Sequence, residues 1–145
     1  MFPTDPADPP LFGARMDGAT IVVKIPLCDS DDIRRVDVVD FDDVKPVNPP
    51  VLWWASEPTT VAAKAGFVRL WSGEGFKRHK APLAKSAVPR NLDVSYLDAS
   101  GYGRGDVLTL RSISKADLKV GQYWTSSGPK TARQIDAQLR CKRSK

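Results

Sequence analysis

The chain has 145 residues, 41% of them hydrophobic and 27% charged, and a net charge of +5, the size and balance of one globular domain. Its longest apolar run, VLWWA at 51–55, is far too short to cross a membrane, and the acidic, proline-bearing start MFPTDPADPP lacks the basic and apolar stretches of a signal peptide. A soluble protein is therefore expected, intracellular or part of a particle, with no membrane partner. Cys28 and Cys141 are the only cysteines, too few for a disulfide framework or a cysteine-based zinc site; free thiols in a reducing compartment are the simpler expectation, although two cysteines can pair.

In chain order, residues 1–18 hold Pro3, Pro6, Pro9 and Pro10, which fix backbone angles and withhold ladder hydrogen bonds. They read as an extended arm ahead of a single domain over 19–145. In the whole chain fifteen of the seventeen acids are Asp, and valine outnumbers leucine fourteen to eleven; Asp and Pro suit turns, and Val suits strands. ATIVVKIPL (19–27) reads as a strand. RRVDVVDF (34–41) alternates in part, with one irregular step that suggests a bulge. VLWWA (51–55) follows the breaker NPP, and SEPTTVAAKA (56–65) reads as a short helix capped by Ser56 with Pro58 in its first turn. GFVRLW (66–71), LDVSYL (92–97), DVLTLRSI (106–113) and KVGQYWT (119–125) complete about seven strands.

Between two of these strands SGYGRGDV (100–107) places glycines at 101, 103 and 105, as a β-hairpin needs. The last element, over 129–142, reads as a basic helix: Ser127 caps it, Pro129 starts it, and Ala132, Ile135 and Leu139 form one apolar stripe. Arg140, Lys142 and Arg143 fall where the helix dipole favours cations. The expected fold class is mainly β (α+β), a small sandwich or partly open barrel with a short central helix and a C-terminal helix.

The net charge conceals a division. Residues 1–60 hold eleven acids against five bases, and residues 61–145 hold six acids against seventeen bases. GFKRHKAPLAKSAVPR (75–90) contributes Lys77, Arg78, Lys80, Lys85 and Arg90 with no acid among them. Each of these side chains can neutralise a phosphate, Phe76 offers a stacking face, and Arg104 lies in a second glycine-rich loop. The opposing block CDSDDIRRVDVVDFDD (28–43) has seven Asp and two Arg. Asp29, Asp31, Asp32, Asp40, Asp42 and Asp43 from this block, together with the adjacent Trp53 and Trp54, are the candidates for a protein interface.

Catalytic signatures are scarce. A calcium loop starting at Asp29 would need an oxygen ligand where Ile33 stands and glycine where Arg34 stands. Asp29, Asp31, Asp40 and Asp42 could hold Mg²⁺ for phosphodiester cleavage only if a hairpin brought them together. His79 is the sole histidine, and its basic, proline-flanked setting does not suit a hydrolase base. The sequence thus favours a non-enzymatic structural or interaction subunit of a larger assembly, such as a viral or phage particle, built on charge-complementary faces and taking no cofactor. A nucleic-acid-binding accessory protein is the first alternative and a metal-dependent nuclease the second.

Overall fold

Among residues 9–42, 51–84 and 87–141, which the computed structural model of the protein describes, ten strands and three short helices alternate along the chain. They are β1 (Gly13–Asp17), β2 (Thr20–Lys24), β3 (Ile33–Asp40), β4 (Val51–Pro58), α1 (Val61–Lys64), β5 (Phe67–Arg69), β6 (Phe76–His79), β7 (Asn91–Asp98), β8 (Gly103–Thr109), α2 (Leu110–Lys115), β9 (Gln122–Thr125), β10 (Gly128–Thr131) and α3 (Ala132–Ala137). The strands form two antiparallel sheets, ordered β10-β9-β1-β2-β5 and β6-β4-β3-β7-β8.

Alternation along each strand decides which side chains are buried. Ala14, Ile21, Val23 and Val68 from the first sheet, and Val36, Val38, Trp53, Ala55, Leu92, Val94 and Tyr96 from the second, join one hydrophobic core. The rings of Phe12 and Tyr96 lie 6.5 Å apart in that core. This is the mainly β (α+β) fold that the composition predicts, with its strands in two five-stranded sheets. The irregular step also appears, as a register shift between Val38 and Val39.

Three strands were not expected, and each has a local cause. β1 lies between β9 and β2, so residues 13–17 belong to the domain and not to an arm; residues 1–8 lie outside the described ones. Gly13 makes this possible, because a Cβ there would meet the Ile135 side chain and stand 2.8 Å from Tyr123 Cβ. β10 takes Gly128–Thr131 away from the expected helix over 129–142 and pairs it with β9, an edge position where Pro129 removes no needed donor. Helix α3 starts instead behind Thr131, whose hydroxyl accepts from Gln134 N at 3.1 Å while the Gln134 side chain accepts from Thr131 N at 2.8 Å. That capping box outcompetes Ser127. The third strand, β6, opens the segment that the sequence presents as a loop. Two smaller corrections follow the same logic: Thr60 rather than Ser56 caps α1, and the run 106–113 leaves its strand at Leu110 to become α2.

Both ends of the described chain are fastened to this frame. The Gln138 amide accepts from Leu11 N at 2.8 Å and donates to Leu11 O at 2.9 Å, and Ile135 is fully buried. Lys24 is buried too. Its amine donates to Ile25 O (2.7 Å), Ala65 O (2.8 Å) and Asp136 Oδ1 (2.6 Å), joining β2 to α1 and α3. Burial holds that amine below the ordinary lysine value, against the opposing pull of Asp136. A disulfide between Cys28 and Cys141, with Cα atoms 5.5 Å apart, replaces the expected free thiols. No helix among the described residues is long and apolar enough to cross a membrane.

Candidate functional site

Strand β6 lies at the edge of its sheet and pairs only with β4, Ala55 opposite His79 and Ser56 opposite Arg78. Phe76 turns into the core, whereas Lys77, Arg78, His79 and Lys80 are exposed. The phenyl ring expected to stack on bases is therefore unavailable. The chain reaches this edge through Gly73, whose φ of 70° is left-handed; the His79 ring lies where its Cβ would stand.

The segment after β6 is anchored at both ends. At its entry, Trp53 Nε1 donates to Lys80 O at 2.9 Å, and Lys80 N donates to Trp54 O at 2.9 Å. At its exit, the Asp42 carboxylate accepts from Arg90 N (2.6 Å), Asn91 N (3.1 Å) and Asn91 Nδ2 (2.9 Å). The Asn91 side-chain bond, followed by the Arg90 backbone bond, holds the Asp42 carboxyl below its ordinary value. The basic segment is thus positioned by the core on one side and by the acidic block on the other. The anchoring role of Trp53 had no signal in the sequence beyond its large size.

Among the described residues one ion pair reaches the cations of this segment, Glu57 Oε2 to Arg78 Nε at 3.2 Å. Glu57 itself adopts a left-handed φ of 60° at the end of β4. The Lys80 amine is 3.4 Å from Val51 O, and Lys77 has no ion pair among the described residues. Lys85 lies outside them. Arg104 does not join this surface. It lies in β8 at the far edge of the sheet, four strand spacings or about 19 Å from β6, with its guanidinium 3.2 Å from Tyr96 Oη.

The acidic candidates divide between the two ends of β3. Asp29, Asp31 and Asp32 precede the strand, while Asp40 and Asp42 end or follow it, and eight residues of strand set the groups about 23 Å apart at ~3.3 Å per residue. The four-carboxylate metal site is therefore not formed. Among the described residues no three of His, Cys, Asp and Glu gather around a metal position. Several of these acids are engaged inside the chain. Asp31 accepts from Cys28 N at 2.8 Å, Asp40 from Asp42 N at 2.8 Å, and Asp42 is held as described. Asp29 and Asp32 are exposed, and Asp29 directly follows the disulfide-bonded Cys28. Asp43 lies outside the described residues.

The two tryptophans point to opposite faces, as alternation in β4 requires. Trp53 is fully buried, edge-on to Trp71 at 6.1 Å, which removes it from any interface. Trp54 is half-buried under the Arg35 guanidinium, 4.7 Å from its ring centre, and Arg35 is held by Asp37 at 2.8 Å. Its cover thus comes from its own sheet.

Comparison with protein-family models, with curated proteins and with solved structures finds no match to this chain. The chemistry of the exposed edge must therefore be read from its own residues.

Proposed function

We propose that this protein is a non-enzymatic interaction subunit of a larger assembly, a viral or phage particle being one setting, and that β6 with the segment after it is the surface its partner meets. One observation carries the reading: Lys77, Arg78 and Lys80 stand exposed on a sheet edge with Glu57 as their only acidic partner among the described residues. Uncompensated charge on an ordered edge steers association and sets register. Within the acidic block Asp31, Asp40 and Asp42 are engaged internally, while Asp29 and Asp32 remain exposed.

An acidic protein surface fits this edge better than nucleic acid does. Single-strand binders combine cations with exposed aromatic rings; here Phe76 is buried and Arg104 lies at the opposite edge. Titration with polyglutamate at low salt is expected to show binding that weakens at least about tenfold in K77E/R78E/K80E, because three reversed charges together exceed the ~1.4 kcal/mol that a tenfold change requires. Unchanged affinity in that variant contradicts the reading. Tighter binding of duplex DNA than of polyglutamate, lost in the same variant, would favour the nucleic-acid alternative.

A further inference from the structure

Resting on that reading, we infer that the partner meets β6 as an extended acidic segment that adds to the sheet as one more strand. The ladder fixes which peptide groups are free. Lys80 N donates to Trp54 O, and Arg78 pairs with Ser56, so the alternation of an antiparallel ladder turns the N–H and C=O groups of Lys77 and His79 away from β4. Among the described residues no strand pairs with them on that side, and both residues are exposed.

The other three edges are blunted by different means. β5 has only three residues. β10 carries Pro129, which cannot donate to a neighbour. On β8 the outward Val107 N is taken by Asp106 Oδ1 at 2.8 Å, and Asp106 Oδ2 holds Phe12 N of the incoming chain at 2.9 Å. β6 has only its cations, which repel basic strands and discourage apolar ones. The same cations attract an acidic strand, so the charge that protects the edge also selects its occupant. Successive residues of a strand face opposite sides of the sheet. Lys77 and Arg78 therefore flank an added strand on both faces, which calls for acids at consecutive positions.

The test uses the whole protein and an oligoglutamate of about six residues, the usual strand length, beside the same peptide with alternate amides N-methylated. At saturation the plain peptide is expected to slow amide hydrogen exchange at Lys77 and His79 at least about tenfold and to bind at least about tenfold more tightly than its N-methylated form, the scale of one lost hydrogen bond. Equal binding of the two peptides, or unchanged exchange at both amides, overturns strand addition while leaving an ionic contact in place. Failure of both peptides and of polyglutamate removes the contact surface itself. Tighter binding of a single-stranded oligonucleotide of equal charge would overturn the inference in favour of nucleic acid.

Discussion

Replacing Trp53 with alanine is expected to lower the stability of the fold by about 3–5 kcal/mol, the cost of emptying a large buried aromatic site. Trp53 is fully buried in β4 opposite Val38, with its indole edge-on to Trp71. Its loss also removes the donor to Lys80 O, which adds about 1 kcal/mol. Thermal unfolding followed by circular dichroism should show a midpoint about 10–15 °C lower for a chain of this length. Trp53→Phe should fall between the wild type and W53A, since it keeps most of the ring packing but loses the hydrogen bond and leaves a small cavity. A midpoint within a degree or two of the wild type in W53A would show that β4 does not bury this side chain.

Removing the disulfide is the second large effect. The bond joins residues 113 apart in sequence, so it restricts the unfolded chain heavily, and a cost of about 2–4 kcal/mol is expected for C28S/C141S. The native state should survive, because α3 keeps Ile135 in the core, Asp136 on Lys24 and Gln138 on Leu11. Urea unfolding of the wild type should move to lower denaturant on adding dithiothreitol, and the double variant should not respond. Two titratable thiols in the native wild-type protein, or no response to reductant, would contradict the pairing. A bond of this kind persists in oxidising surroundings, which bears on where the protein works.

A strand is legible in the sequence where its own residues carry the period. Strands β2, β3, β4 and β7 were legible because alternating valines and aromatics carry their own period over enough residues. β1 and β10 were hidden although each pairs with its neighbour along the chain, Asp17 opposite Thr20 and Gly128 opposite Thr125, because the prolines ahead of β1 give it the composition of an arm and Pro129 gives β10 that of a helix start. The tryptophan pair shows the limit of periodicity. Alternation requires one ring on each face, but only the pairing of Trp53 with Val38 and of Trp54 with Asp37 decides which.

The candidate site was legible as charge and not as shape. Five cations without an acid between them stand out in any reading of residues 75–90. That the first four residues after Gly75 form an edge strand follows from pairing with β4, which no local pattern announces. The acidic block is divided for a related reason. Its residues are close in sequence, but a strand runs through the middle and carries Asp29 and Asp42 to opposite ends of the sheet. Asp42 then serves the backbone at Arg90 and Asn91.

Amine labelling of the native protein, read residue by residue in the mass spectrometer, tests most directly whether the chain leaves its basic edge without internal partners. Lys77 and Lys80 should be acylated as fast as a lysine in an unstructured peptide, while Lys24, enclosed by Ile25, Ala65 and Asp136, should stay unmodified until the protein unfolds. Protection of Lys77 and Lys80 to the same degree as Lys24 would mean that the edge is already covered by its own chain, and the contact surface proposed for this protein would not exist.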